Sequence, residues 1–247
     1  MRIDLNADVG ESFGAWSMGE DADLIPVVTS VNVACGFHAG DPPTIELTVA
    51  RAVAAGVAVG AHPGYPDLAG FGRREMELSI PELEAAIVYQ VGAVAAFARA
   101  AGVALRHVKP HGALYNRAAR DPAIAEAVVR AVARVDRDLV LVALAGSVAL
   151  DAGRVAGLRV AAEAFADRGY EPDGRLRSRS LPLAVLDDPD ACARQAIALA
   201  RDPARRPDTI CVHGDRPGAA ARASAVRVAL ESVGIEIRAL AENASGT

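Results

Sequence analysis

The sequence predicts an α/β fold, a closed β/α barrel of about seven parallel strands with helices outside. Three observations carry this. Short β-type runs alternate with longer Ala-rich helical runs about seven times, which implies a parallel sheet with crossover helices. Polar clusters follow the strands, not the helices. Loops after the strands of a closed barrel converge on one mouth, whereas a doubly wound open sheet gathers only some of them at a switch point. All five histidines lie in these clusters, beside Gly, Pro, Asp or Lys.

Arg2–Asn6 reads as the first strand. Asp4, Asn6 and Asp8 alternate onto one face, with Ile3 and Leu5 on the other. Ser30–Ala34 is the second. Asp41-Pro42-Pro43 then offers an N-cap with Pro in the first turn, and Gly56 closes that helix. Val57–Ala61 is the third strand. Ser79-Ile80-Pro81-Glu82 has capping-box spacing and opens a long helix that stops near Gly102. Arg106–Lys109 is the fourth strand, and Asp121-Pro122 opens the next helix. Leu139–Leu144 and Leu158–Ala162 follow as strands, then a helix from Asp188-Pro189, the strand Thr209–Val212, and an eighth candidate, Ile235–Arg238. No linker or low-complexity segment divides the chain. It is expected to form one domain over residues 1–241, with 242–247 as a loose tail.

The 247 residues are 52% apolar, enough for a sizeable core, with a net charge of −5. Acids and bases are mixed along the chain, which argues against a nucleic-acid surface or a polybasic membrane anchor. The N-terminus has no apolar signal-peptide core, and no run of about 18 uninterrupted apolar residues exists. The longest candidate surrounds Leu139 to Leu150. Cys35, Cys192 and Cys211 are odd in number and widely spaced, which fits reduced thiols in a cytoplasmic protein.

Of the 26 basic residues, Lys109 is the one lysine, set between His107 and His111. A sequence that uses Arg everywhere else needs a compact, rotatable ammonium here. His107, Lys109 and His111 alternate, and Pro110 forbids a helix interior, so this is not a helix-face metal pair. Lys109 could hold a carboxylate or phosphate, or act as a general acid if burial lowers its pKa. Carboxylates facing a barrel interior are costly unless paired, hydrogen-bonded or metal-bound, which singles out Asp4 and Asp8, with Asn6 between them and Glu11 as the least certain member. His38 and His62 follow small residues, including Gly36 and Gly60, that would let a ligand approach the backbone. Asp41 is assigned as a helix cap. Glu163 ends the sixth strand as an acid/base candidate, and Asp167 and Arg168 read as an ion pair. His213 and Asp215 share a face. Together the set offers carboxylates, imidazoles and one ammonium. The absence of a Gly-x-Ser-x-Gly elbow points to activated water. There is no P-loop, so ATP chemistry requires another site or another chain.

The segments Ile3–Glu11, Asn32–Asp41, Gly60-Ala61-His62-Pro63, Gly70-Phe71-Gly72-Arg73, His107–Gly112, Glu163–Arg168 and Cys211–Asp215 together resemble the LamB/YcsF family, in order and over nearly the whole chain. The resemblance implies a distorted barrel related to glycoside hydrolases and deacetylases. It also implies the A-subunit role in ATP-dependent opening of 5-oxo-L-proline to L-glutamate, with separate B and C subunits linked to activation by phosphorylation. Residues 175–183 look like a diverged version of the family's later loop. On this reading Asp8, His62, Lys109 and Glu163 form the catalytic set. A carboxylate of Asp8 or Glu163, or His62, activates water, and Lys109 holds the charge of the activated substrate. Asp4, Asn6, His38, His107, His111, Arg168, His213 and Asp215 form the substrate-binding set. Alanine at Lys109 or Asp8 is expected to abolish turnover with the fold intact.

Two alternatives stand beside it. One is a stand-alone hydrolase with a divalent metal held by His38, His62, His213 and the first-strand aspartates. The other is a non-catalytic subunit that binds a small carboxylate or sugar.

Overall fold

The computed structural model describes residues 1–240. The expected tail, 242–247, and the expected domain end at 241 lie outside the described residues. The strands are β1 (Arg2–Val9), β2 (Ser30–Ala34), β3 (Ala58–His62), β4 (His107–Val108), β5 (Val140–Leu144), β6 (Arg159–Phe165), β7 (Thr209–His213) and β8 (Glu236–Ile237). The first seven run parallel in chain order, and β1 pairs with both β2 and β7, so the barrel closes. β8 adds to Arg2 and Ile3 only, outside the ring. β1 and β6 run three residues further than expected. Glu163 therefore sits inside β6, paired across to Leu144 and Thr209, and not at the strand end.

The helices are α1 (Asp21–Leu24), α2 (Pro42–Ala54), α3 (Ile80–Ala100), α4 (Gly112–Ala118), α5 (Pro122–Val135), α6 (Val148–Val155), α7 (Pro189–Arg201) and α8 (Ala219–Ser232). Those with sequence caps start where the caps predict. Asp41, Ser79, Asp121 and Asp188 each accept from a backbone N–H of the first turn, with Pro inside it. Ser79 and Glu82 form the full capping box. The starts of α4, α6 and α8 carry no side-chain cap bond, which is why they left no start signal.

Odd residues of β1, from Ile3 to Val9, face outward into a core shared with the helices. α3 supplies Leu83, Ile87, Val91, Val94 and Ala98, and α5 supplies Ile124, Val128 and Val132. Each such side chain contributes roughly 1.5–3 kcal/mol of burial. α3 is also the stretch that, by length and composition alone, could cross a membrane. The segment Leu139–Leu150, expected to be the longest apolar one, instead divides between β5 and the start of α6.

Barrels of this type usually fill their interior with branched apolar residues. This one is filled with polar side chains. Asp4, Asn6, Asp8, Ser30, Asn32, His107, Lys109, Glu163 and Thr209 are all buried. Gly60 does not make room for a ligand, as its place before His62 suggested. A Cβ there would collide with the His107 ring, so the missing side chain is what admits that imidazole to the barrel.

Candidate active site

The interior is layered. At the bottom, the Asp4 carboxylate accepts from the hydroxyls of Thr29, Ser30 and Thr209. Burial outweighs these donors and raises Asp4 to about 6. In the middle, Asn6 donates to Glu163 Oε1 at 3.0 Å, and Asn32 donates to Asn6 at 2.7 Å and to Asp8 at 2.8 Å. His107 Nε2 donates to Asn32 Oδ1 at 2.8 Å. Burial, aided by Lys109, holds His107 neutral with its pKa near 3. At the top, Lys109 Nζ lies 2.9 Å from Asp8 Oδ1 and 2.9 Å from Glu163 Oε1. Glu163 Oε2 also accepts from Tyr115 at 2.7 Å.

These contacts decide two roles. Burial alone lowers a lysine, but here Asp8 and Glu163 outweigh it and raise Lys109. Lys109 is thereby held as an ammonium between two carboxylates. Glu163 is sealed under Lys109 and is not among the residues that line the cavity above it, where its contact is with the Lys109 ammonium. Asp4, Asn6 and His107 likewise lie beneath the cavity floor. Burial pushes Asp8 up, but His62 and Lys109 outweigh it and hold it well below the carboxylate range.

Above this floor lies a cavity of about 230 Å³, lined by Asp8, His62, Lys109, His111, Phe165 and His213, with Arg73, Arg168 and Arg179 on its walls. That is below the roughly 300–1,000 Å³ typical of drug-sized ligands and suits a small metabolite. The arginines suit an anion. His213 Nδ1 lies 3.0 Å from Asp167 Oδ1, and the His213 ring stacks on Phe165. Burial raises Asp167, but His213 outweighs it and brings the carboxyl to about 2. Asp167 is thus the orienting partner of His213, not the ion-pair partner of Arg168, whose guanidinium donates to the carbonyls of Ala184 and Arg177. Asp215 shares the mouth but turns to Arg73 at 2.6 Å. Asp8 Oδ2 lies between two imidazoles, 3.4 Å from His62 Nε2 and 3.9 Å from His213 Nε2.

His62 Nδ1 donates to the Lys109 carbonyl at 2.6 Å. His111 Nε2 donates to the Phe71 carbonyl at 2.8 Å. The His38 ring stacks on His111 with centroids 3.8 Å apart. Glu11, His38 and His111 each bring one ligand atom to within 4.8 Å of the others, the one such group of buried donors among the described residues. Burial lowers His38 and His111 and raises Glu11.

Sequence reasoning thus gathered all five histidines, Lys109 and Asp8 into one place. It missed Asn32, Tyr115, Arg73 and Arg179 as site residues. Asn32 carried a signal, a lone amide inside the apolar strand Ser30–Ala34 that shares its inward face with Ser30. Tyr115 and Arg179 carried none, because α4 and the loop after β6 have no diagnostic spacing. Residues 176–180, in the loop expected to have diverged, form one cavity wall.

The LamB/YcsF family model matches residues 3–245. The 5-oxoprolinase A subunit of Chloroflexus aggregans (strain MD-66 / DSM 9485) is 56% identical, over 96% of this chain and 98% of its own. That of Heliobacterium modesticaldum (strain ATCC 51547 / Ice1) is 55% identical, over 97% and 98%. The crystal structure of the lactam utilization protein from Thermus thermophilus superposes with a TM-score of 0.90 at 50% identity, covering 97% of this chain and 100% of that one. A family 4 carbohydrate esterase from Streptomyces lividans, in complex with acetate, superposes with a TM-score of 0.51 at 11% identity, over 98% and 94%, a likeness of fold alone. The barrel, its polar interior and these near-full-length matches lead to one assignment: the chain belongs to the LamB/YcsF family.

Proposed function

We propose that this chain is the A subunit of an ATP-dependent 5-oxoprolinase and that its cavity opens the ring of 5-oxo-L-proline to L-glutamate. B and C subunits would bind ATP and activate the lactam, since this chain has no P-loop lysine. The reading places the complex in the cytoplasm. The observation that carries it is the 56% identity, over nearly both full lengths, to a protein named as the A subunit of 5-oxoprolinase.

The geometry supports the chemistry. A five-membered lactam is a stable, poorly electrophilic amide, and a phosphorylated one is a better target for water. The substrate carboxylate pairs with the arginine wall of Arg73, Arg168 and Arg179. Water adds to the ring carbon of the phosphorylated lactam, the C–N bond breaks to free the amine, and hydrolysis of the resulting acyl phosphate releases inorganic phosphate and glutamate. Lys109, fixed as an ammonium, faces the negative charge on the oxygens at that carbon. Asp167 fixes the Nδ1 proton of His213, which leaves Nε2 to accept a proton from water beside Asp8 and return it to the departing ring nitrogen. Asp8 and His213 therefore replace Glu163 as the groups that meet water.

The test is glutamate release from 5-oxoproline by this chain, with and without ATP and the B and C partners. Release only with ATP and both partners supports the reading. Absence of release with folded partners present, or hydrolysis of another amide by the chain alone, overturns it.

A further inference from the structure

The cavity's histidines present a proton-counting problem. The carbonyl of Lys109 can only accept, so His62 carries its proton on Nδ1. The carbonyl of Phe71 can only accept, so His111 carries its proton on Nε2. A neutral imidazole has one N–H. With both rings neutral, the two remaining atoms, His62 Nε2 and His111 Nδ1, are both lone pairs 3.0 Å apart; with a second proton on His62, Nε2 is shared between His111 and Asp8. Two lone pairs at this distance repel unless a cation sits against them. Glu11 Oε1 lies 3.8 Å from the same His111 Nδ1, and Glu11 is buried. Neither ring nitrogen of buried His38 has a hydrogen-bond partner among the described residues.

We infer that Glu11, His38 and His111 bind one divalent first-row transition-metal ion, at a position bordered by His62 Nε2, which lies 3.0 Å from His111 Nδ1. Imidazole nitrogens with a carboxylate are the donor set such ions take. Ligating histidines almost always donate their other N–H to a carbonyl or carboxylate, as His111 does here to the Phe71 carbonyl. The loops are shaped around these rings. A Cβ on Gly64 would lie 2.8 Å from His38 Nδ1, and one on Gly72 would lie 2.7 Å from His111 Cδ2 and 2.9 Å from His38 Cβ. Only glycine lets the two loops close on the stack. Asp8 and Lys109, already paired, remain outside the set.

The site does not depend on which reaction the cavity runs, so binding is measured on the purified full chain without partners or substrate. Chelator-treated protein is titrated with Zn(II), Mn(II) and Co(II) by calorimetry, and with Co(II) by visible absorption. One equivalent is expected, with a Co(II) spectrum of nitrogen ligation and a higher thermal midpoint in the metal-loaded chain. Glu11→Gln and His111→Ala should each weaken binding at least about tenfold, while Asp151→Asn, on an exposed helix face, should not. If His111→Ala fails to fold, His38→Ala makes the same test, since His38 has no hydrogen bond to lose. Absence of saturable binding to the folded chain, or binding untouched by these variants, overturns the inference. The facing nitrogens then share a proton, which nitrogen NMR of His62 and His111 would display.

Discussion

Lys109 and Asp8 form a buried ion pair at the cavity floor, with Nζ 2.9 Å from Oδ1. Glu163 shares the same ammonium. The three residues come from β1, the end of β4 and β6, so the pair fastens opposite walls of the barrel. Removing one partner of a buried pair costs about 3–5 kcal/mol, because it strands the other charge. Lys109→Ala should therefore lose stability as well as turnover, unlike the fold-neutral loss expected from sequence. Lys109→Arg keeps the charge but replaces the compact ammonium held between Asp8 and Glu163 with a larger planar fork, and should also lose stability. Urea unfolding of both variants checks this. A midpoint close to wild type for Lys109→Ala would show that the carboxylates find other partners.

The barrel and the histidine, lysine and first-strand aspartate positions were legible because each left a local mark, whereas Tyr115 and Arg179 on the cavity wall left none. Alternation in residues 4–8 marks an inward polar face, and caps at Asp41, Ser79, Asp121 and Asp188 mark helix starts. Partnerships were not legible. Asp167 is next to Arg168 in sequence, yet it serves His213, which is 46 residues away. Gly60 reads in sequence as space for a ligand, yet β3 pairs with β4 in a register that sets it beside His107. Strand register decides both, and register across a parallel barrel is a property of the closed ring, not of any window of sequence.

Gly60 gives a direct test of that register. A methyl group at Gly60 would overlap the His107 ring. Overpacking of this kind costs typically about 1–3 kcal/mol and sometimes more. Gly60→Ala should lower the unfolding free energy by at least that amount. Gly60→Ala with His107→Ala should cost less than the sum of the single changes, since the clash disappears with the ring. Additive effects in the double-mutant cycle would mean that the two positions do not meet.

Asp4 makes stability depend on pH in an unusual direction. Its carboxyl is raised from 3.8 to about 6 by burial. The folded state thus holds a proton that the unfolded state releases near pH 4. The stabilisation is complete below the unfolded value and is lost as pH rises through about 6. The difference is about 3 kcal/mol. Asp4→Asn does not titrate and can still meet the hydroxyls of Thr29, Ser30 and Thr209. Wild type should therefore lose ground to Asp4→Asn between about pH 4 and 7. Parallel stability curves for the two proteins would place the Asp4 pKa near its unfolded value.

The His213–Asp167 pair bears on catalysis. The Asp167 carboxylate is secure at working pH, because it titrates near 2, and its contribution to stability disappears only as pH falls from about 4 towards that value. Asp167→Asn keeps the size of the side chain but frees His213 to take the other tautomer, which puts a proton on the nitrogen that must accept one. In the reconstituted complex, kcat should fall about 10²–10⁴-fold with KM little changed. His213→Ala should cause a similar loss. The double variant should be no worse than His213→Ala, because an orienting group has nothing left to orient. A near-normal kcat for Asp167→Asn would remove His213 from proton transfer and leave Asp8 as the group that activates water.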